Sequence, residues 1–188
     1  LGADTRVRDL GLDAESSKLS RGFQLLIARP MLVVFNTGDD DVSDPSSIVD
    51  YRHGNTELAT IRGRLEAELA QLDDGDRAEM MAEFGIAEPG LNRVIRQSLQ
   101  LLGLQVFLTA GEPEVRAWEI PIGATALEAA GAIHSDLARG FIRAEVTAYD
   151  DLIKAGGMAQ ARQAGVLRLE GRDYIVKDGD VLNIRFNV

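Results

Sequence analysis

The sequence has no cysteine and only two histidines, His53 and His134. The absence of cysteine excludes disulfides, thiol nucleophiles and thiolate metal sites, and it fits a reducing compartment. Two histidines do not make a convincing imidazole metal site, so we expect no metal ligands. No apolar run approaches the roughly 18 residues that a membrane span needs, and the first residues are not signal-like. These absences favour a cytoplasmic protein with no membrane partner.

Lysine is also scarce, which bears on phosphate chemistry. The three lysines are Lys18, Lys154 and Lys177, and none follows a glycine. A phosphate-binding loop needs Gly-x-x-x-x-Gly-Lys followed by Ser or Thr, because backbone amides and a lysine must surround the phosphates. The sequence also lacks Asp-x-x-Gly, the segment that senses a γ-phosphate in switch proteins. These 188 residues therefore carry no phosphoryl-transfer machinery of that type.

Negative charge predominates in what is present. The chain has 20 basic and 30 acidic residues, a formal net charge of −10, and its 45% hydrophobic content is enough for a buried core. Such a chain as a whole repels polyanions, so nucleic-acid binding requires a local basic patch.

Two strand-to-loop junctions lie close together in the first half. The apolar run 31–35 after Pro30 predicts a strand covered on both faces, and 58–61 predicts another short strand. The polar loop 36–41 follows the first strand, where ligands of open α/β sheets collect, and 62–64 follows the second. The two junctions suggest a site, but neither is diagnostic. From spacing alone, a solvated acidic turn before a helix around 46–51 is the favoured interpretation of the first loop.

Helical patterns surround these strands. Asp13 is placed to cap a helix within 1–22, where Leu12, Leu19 and Phe23 are spaced for one apolar face. A helix begins near Leu65 and another covers 76–84. A third is predicted to pack on a core through one apolar stripe: Leu91, Val94, Ile95, Leu99 and Leu102.

The composition changes near Leu104, where we place a domain boundary. Beyond it the patterns predict a strand at 115–120, a helix from the capping box Thr125–Glu128 through Ile133, and a strand at 142–148. A helix at 149–164 and short strands at 167–169, 174–176 and 182–188 follow. In the last strand Leu182, Ile184, Phe186 and Val188 face inward, as Ile142, Ala144, Val146 and Ala148 do in the strand at 142–148. A small mixed sheet with a helix on one face, an α+β unit, results.

Two groups of side chains in this half are functional candidates. His134, Ser135 and Asp136 are the elements of a hydrolytic triad, but sequence neighbours at a helix end point in different directions, so a hydrogen-bonded helix corner is favoured. Basic residues on outward strand positions and turns would contact phosphates if they share a face, although scattered salt-bridged residues are the favoured alternative: Arg139, Arg143, Arg168, Arg172, Lys177 and Arg185.

Several long motifs resemble the carboxyl-terminal part of the YchF (Obg-like ATPase) family, over nearly all of 62–188 and less tightly over 1–61. They lie at 67–73 (AELAQLD), 88–93 (EPGLNR), 110–112 (AGE), 114–118 (EVRAW), 129–136 (AAGAIHSD), 139–146 (RGFIRAEV), 169–180 (LEGRDYIVKDGD) and 186–188 (FNV).

This resemblance implies three pieces. Residues 1–28 would end a helical, coiled-coil-like insertion, and 29–104 would be the last part of an α/β P-loop G domain with its linker helices. Residues 105–188 would form a TGS-like β-grasp (ubiquitin-like) domain, of a type associated with RNA or ribosome contact. The corner Ile133-His134-x-Asp136 is similar to the one shared by TGS domains of threonyl-tRNA synthetases and stringent-response enzymes.

The resemblance also implies nucleotide-binding residues. Asn36, Thr37 and Asp39 occupy the base-recognition loop, in which Asn36 would hydrogen-bond the purine edge. The lysine of guanine-selective relatives is absent, but Asp39 keeps their acid. Arg62, Gly63 and Arg64 match a second base-contacting loop that is usually built from small residues, and the two arginines would crowd or stack on the base. Members of the family prefer ATP.

The family's phosphate loop and switches are absent from this sequence, so we expect a fragment or a truncated form that hydrolyses nothing unaided. The longer parent would bind ATP or GTP with Mg²⁺, whereas this chain by itself would hold no cofactor. The expected partners are ribosome or RNA, and proteins. An exposed edge of the sheet at 30–61 would favour self-association. The alternative is a free-standing β-grasp interaction module without nucleotide chemistry, and a small hydrolase using His134 is a remote third.

Overall fold

The computed structural model describes residues 5–38, 44–51, 53–111 and 114–187. The chain divides into two compact units, one ending at Leu102 and the other beginning at Gly103. Each unit combines helices with a sheet, so the predicted α+β class is confirmed. Among the described residues, no helix has the length and apolar character that crossing a membrane requires.

The first unit contains four helices and a two-stranded parallel sheet within the described ranges. Single 3₁₀ turns lie at Val7–Asp9, Leu26–Ala28 and Pro45–Ser47. The elements in chain order are α1 (Ala14–Arg21), β1 (Met31–Asn36), β2 (Thr56–Ile61), α2 (Gly63–Leu69), α3 (Asp74–Glu83) and α4 (Gly90–Leu101).

The predicted strands β1 and β2 form, but β1 is not covered on both faces. Its side chains are half-buried or exposed, and Val34 is 38% exposed. Among the residues that the structure describes, this sheet has only two strands, so it offers helices a narrower surface to pack on than a wide parallel sheet does. The predicted helix around 46–51 is wrong: the described residues there form one 3₁₀ turn, which Asp44 caps by accepting the Ser46 N–H (2.9 Å).

The amino-terminal helix begins where its cap predicts. Asp13 accepts the Ser16 N–H at 2.7 Å, which satisfies one of the free amides at the start of α1. The apolar face predicted for this region does not form a buried stripe. Leu19 and Phe23 are 70% and 76% exposed, and Phe23 lies beyond the end of the helix.

Helix α4 is rotated relative to the prediction. Leu91, Ile95 and Leu102 of the expected stripe are 65%, 50% and 59% exposed. The helix turns Arg93 toward the sheet, where the guanidinium donates to the Thr60 carbonyl. That hydrogen bond holds a polar side chain of α4 against β2, and three of the five stripe residues are exposed in the described part of the chain.

Residues 103–111 and 114–187 of the second unit form a five-stranded mixed sheet with helices packed on it. Its strand order is β4-β3-β7-β5-β6, in which β3 and β7 are parallel and the other neighbours are antiparallel. The elements are β3 (Leu104–Ala110), β4 (Val115–Pro121), α5 (Ala126–Ile133), α6 (Ser135–Arg139), β5 (Phe141–Ala148), α7 (Tyr149–Ala155), α8 (Met158–Gln163), β6 (Arg168–Glu170) and β7 (Asp180–Phe186).

Strand β3, which lies inside the sheet between β4 and β7, is the main feature that the sequence prediction missed. Phe107 on this strand is completely buried, and Gln105 donates to the Val176 carbonyl at 2.8 Å. The strand follows Gly103, whose φ of +67° ends the preceding helix.

The helix on this sheet forms as predicted. Thr125 and Glu128 make a complete capping box, and α5 ends at Ile133. Ala126, Ala129 and Ala130 of α5 are fully buried against the sheet because small side chains allow a close approach, and Trp118 packs at the margin of the same core.

Strand β5 departs from the predicted alternation at its ends. A bulge between Phe141 and Arg143 shifts the register, so Phe141 is buried and Ile142 is 56% exposed. Ala148, predicted to face inward, is also exposed. On the face opposite the core, Glu145 and Thr147 are buried as well.

Three further predictions for the second unit need correction. The helix predicted over 149–164 is two helices, because Gly156 and Gly157 adopt φ of +86° and +148° between them. The predicted strand at 174–176 makes only an isolated bridge from Ile175 to Thr125. Phe186, predicted to face inward, is 46% exposed, and Val188 lies outside the described residues.

Candidate functional site

The first candidate site lies at the carboxyl edge of the β1–β2 sheet. Because the two strands are parallel and Asn36 is in register with Ile61, the loops that follow them leave the sheet side by side. Thr37 joins them, since its N–H and its hydroxyl both donate to the Ile61 carbonyl at 2.8 and 3.1 Å.

Asn36 links this edge to the start of α2. Its side-chain Oδ1 accepts the Gly63 N–H at 3.1 Å, and Asn36 itself is exposed. A Cβ at position 63 would lie only 2.6 Å from that oxygen, so a larger residue there would displace the Asn36 side chain from this contact. The structure therefore brings Asn36, Thr37 and Gly63 together.

The two arginines of the second loop point away from this contact. Arg62 donates to the Phe84 carbonyl at 3.2 Å, at the end of α3. Arg64 lies along α2, with its Nε 3.3 Å from Glu68 Oε1, and its side chain is 81% exposed. Asp39, the remaining predicted residue, lies outside the described residues.

A cavity of about 280 Å³ adjoins this edge, and sequence reasoning missed it. Thr37 and Arg62 line it together with Glu66, Glu88 and Arg93. Glu66 accepts the Gly90 N–H at 2.6 Å, whereas Arg93 Nε is buried with no hydrogen-bond partner among the described residues. The available signal was the motif 88–93, which carried the family resemblance but was given no chemical role.

The second candidate site is on the sheet of the second unit. Arg143 on β5 and Arg185 on β7 are directly paired across the strands. They flank Glu145, whose side chain is only 3% exposed and whose Oε1 accepts hydrogen bonds from Arg185 (2.6 Å) and Arg162 (2.5 Å). Asn183 donates to the other oxygen at 2.9 Å. Arg162 was missed because it lies on α8, 17 residues along the chain from Glu145.

Burial and hydrogen bonding act on Glu145 in opposite directions. Burial raises the pKa of the carboxyl group, but the hydrogen bonds from Arg185 and Asn183 and the charges of Arg185 and Arg162 outweigh it, so the pKa is lowered. The carboxylate is therefore ionised at neutral pH and holds two guanidinium groups in place.

These arginines border an open groove of about 830 Å³ on the sheet, which we call the outer-sheet groove. Its apolar lining includes Ile142, Leu169 and Phe186, each 46–57% exposed. The groove combines a positive border with apolar surface, an arrangement that suits a polyanionic or acidic macromolecule.

The other predicted basic residues lie elsewhere. Arg139 pairs with Asp136 at 3.0 Å, and Arg168 donates to the Tyr174 hydroxyl at 3.1 Å while its guanidinium stacks 5.4 Å from that ring's centroid. Arg172 and Lys177 lie between β6 and β7. The predicted basic set is therefore divided, and only Arg143 and Arg185 share the outer-sheet groove.

The geometry around His134 is that of a helix corner. His134 Nδ1 accepts the Asp136 N–H at 3.1 Å, so this nitrogen is used in starting α6. The arrangement matches the hydrogen-bonded corner rather than a catalytic histidine. No cluster of three or more His, Cys, Asp or Glu residues that could hold a metal ion occurs in the described ranges.

Comparison with known proteins gives consistent matches. The family model YchF-GTPase_C, described as a protein of unknown function (DUF933), matches residues 104–187. A Bacillus subtilis (strain 168) protein named ribosome-binding ATPase YchF is 46% identical over 188 residues, 96% of this chain and 51% of that protein. The Escherichia coli O157:H7 protein of the same name is 44% identical over 97% of this chain and 51% of its own length.

The fold comparison agrees. The solved structure of the Schizosaccharomyces pombe YchF GTPase matches with a TM-score of 0.76 and 23% identity, covering 98% of this chain and 50% of that one. The chain thus spans about half the length of the curated relatives it matches. The chain belongs to the YchF family, as its sequence motifs indicated, and corresponds to the carboxyl-terminal part of that family's proteins.

Proposed function

We propose that this chain supplies the base-recognition side of a nucleotide site in a YchF-type, ribosome-associated ATP- or GTP-binding protein. The observation that carries the proposal is the hydrogen bond from Gly63 N–H to Asn36 Oδ1, which joins the two expected base-contacting loops at one sheet edge. The exposed Asn36 amide offers a donor and an acceptor, which suits the hydrogen-bonding edge of a purine.

The residues at this edge fit the base but not the phosphates or Mg²⁺ of the nucleotide. The sequence has no phosphate loop, and the described residues hold no acidic cluster for a cation. Relatives twice this length are named ATPases. In a protein of that length, phosphate and Mg²⁺ binding would lie outside the matched half, and this chain alone would not hydrolyse nucleotide.

A fluorescent ATP analogue tests this division of labour. Its affinity is measured for the 188-residue chain and for the chain joined to the unmatched half of the Bacillus subtilis relative, which is to supply the phosphate-binding part. We expect the joined protein to bind at least about 100-fold more tightly, because phosphate contacts are strong charge-assisted hydrogen bonds. Equal affinities would contradict the proposal.

For the second unit we propose a TGS-like β-grasp module that contacts the ribosome in the cytoplasm. The strand order, with the first and last strands parallel at the centre of the sheet, supports the β-grasp assignment. The names of the relatives support ribosome binding. The outer-sheet groove supplies a contact surface, since Arg143, Arg162 and Arg185 present guanidinium groups that pair well with phosphates.

Ribosome co-sedimentation with Arg143→Glu tests the proposed surface. Arg143 is exposed, so reversing its charge should reduce pelleting with ribosomes several-fold without unfolding the sheet. Lys154→Glu, an exposed charge reversal on α7, is the matched control and should pellet normally. Equal pelleting of Arg143→Glu and wild type would remove the groove from consideration.

A free-standing interaction module without nucleotide chemistry is the second candidate. The apolar part of the outer-sheet groove favours it, because that surface suits a protein partner. This candidate would gain support if ribosomes or proteins bound the chain while the joined protein showed no affinity for nucleotide.

Self-association through the first unit remains a further proposal. Both strands of the β1–β2 sheet have an unpaired edge within the described ranges, and such edges can pair with another copy. Sedimentation velocity should show a concentration-dependent dimer. A monomer at all concentrations up to about 100 μM would contradict this, because it would exclude a dimer with a micromolar dissociation constant.

A further inference from the structure

A separate cavity lies at the amino-terminal ends of strands β1 and β2, opposite the end with Asn36 and Gly63. It measures about 550 Å³, and its lining includes Pro30 and Asn55, the residues immediately before β1 and β2. The edge with Asn36 and Gly63 is at the other end of the same strands. This cavity is therefore distinct from the proposed base-recognition site.

Three arginines line this cavity: Arg8, Arg21 and Arg29. No aspartate or glutamate is among its described lining residues, although the chain as a whole has a net charge of −10. Three cations with no carboxylate among the lining residues give the cavity wall a positive charge that the overall charge does not predict.

Arg8 is fixed in place by the fold. The residue is half-buried, its Nε donates to the Ile27 carbonyl at 3.1 Å, and one terminal nitrogen donates to Thr56 Oγ1 at 3.4 Å. The second terminal nitrogen has no hydrogen bond within the described part of the chain. Arg21 and Arg29 are exposed and contribute their guanidinium groups from the end of α1 and from the loop before β1.

Unusual backbone conformations concentrate at the same place. Gln24 (φ +49°) and Asn55 (φ +50°) are the non-glycine residues with left-handed backbone among those described, and both line the cavity. Such conformations are costly and tend to occur where a site requires them. Here they place two amide-bearing residues beside the arginines.

We propose that this cavity binds a small ligand through an oligophosphate group. Guanidinium groups bind phosphate oxygens with paired hydrogen bonds, and amide donors complete such a site. The volume falls in the range of small-molecule sites. An oligophosphate carries enough negative charge to engage several arginines at once. The proposal does not depend on base recognition at Asn36.

Isothermal titration of the 188-residue chain with inorganic tripolyphosphate tests the proposal. We expect saturable binding that weakens about tenfold in Arg21→Gln and further in Arg21→Gln/Arg29→Gln, because each change removes a charge-assisted contact. These exposed residues are chosen because Arg8 also supports the fold. Lys18→Gln is the matched control: it removes a positive charge from the same helix outside the cavity lining, and it should bind like wild type.

Two further arms identify the source of the phosphate group. ATP binding that depends on Arg21 and Arg29 but not on Asn36 would identify a nucleotide as the oligophosphate source. Tripolyphosphate binding without such ATP binding would identify free oligophosphate. Absence of saturable tripolyphosphate binding, equal affinity in Arg21→Gln/Arg29→Gln and wild type, or arginine-dependent binding of single-stranded RNA alone would overturn the proposal.

Discussion

The buried carboxylate of Glu145 offers a quantitative test of the second unit's structure. Glu145→Gln keeps the side-chain shape but removes the charge that holds Arg162 and Arg185. A hydrogen bond to a charged group is worth about 1.5–3 kcal/mol. The two arginine side chains are 60% and 53% exposed, so water compensates part of that loss. The glutamine can also keep one contact. We therefore expect the free energy of unfolding of this unit to fall by about 2 kcal/mol in Glu145→Gln.

Trp118 makes this measurement specific, because it is the single tryptophan of the chain and lies in the second unit. Urea unfolding followed by its fluorescence should show a midpoint lower by about 1–2 M in Glu145→Gln. Glu119→Gln, an exposed change on the same sheet, should leave the midpoint unchanged. Midpoints that agree between Glu145→Gln and wild type would refute the assigned role of the buried carboxylate.

The pH dependence of unfolding provides a second, independent test of the interaction between Glu145 and its arginines. Because the pKa of Glu145 is lowered by folding, its contribution to stability is complete above the unfolded value of about 4.3. The contribution is lost as the pH falls through the lowered pKa of the folded state. The stability advantage of wild type over Glu145→Gln should therefore be full at neutral pH and shrink below about pH 4. An advantage that grows on acidification would contradict this assignment.

Two other substitutions test the second unit. Gly140→Ala should destabilise it by about 1–3 kcal/mol, because the new Cβ would collide with the Asn187 backbone. Gly171→Ala is the control, since its new Cβ meets no atom within 4 Å. Equal urea midpoints for the two variants would contradict this prediction. Burial and the hydrogen bond to buried Asp180 (2.8 Å) both raise the pKa of Tyr174. Asp180→Asn should therefore lower the pH at which Tyr174 ionises in an absorbance titration. An unchanged titration would count against that contact.

Local sequence signals predicted the parts of the fold that neighbouring residues determine. The caps at Asp13 and Thr125 form as expected because each depends on hydrogen bonds spanning three residues. Strand β1 after Pro30 was also predicted correctly, from its apolar run. Strand β3 was missed, because its interior place in the sheet depends on pairing with β7, more than 70 residues away.

In the candidate sites, too, the sequence predicted some contacts and missed those that depend on distant parts of the chain. The family resemblance implied that the loops at Asn36 and Gly63 contact the same base, and the structure brings these two residues into hydrogen-bond contact. The grouping of Arg162 and Arg185 at Glu145 was not expected, because it needs α8 folded beside the paired strands β5 and β7. The exposed part of the α4 stripe shows the same effect, since Arg93 and Thr60 determine which side of that helix faces the sheet.

The most direct test of the account is the nucleotide affinity of Asn36→Ala in the protein joined to the unmatched half of the Bacillus subtilis relative. Loss of the purine contact should weaken binding of a fluorescent ATP analogue by about tenfold, whereas Asn92→Ala on α4 should bind normally. Affinity in Asn36→Ala equal to that of the Asn92→Ala control would contradict base recognition at this sheet edge.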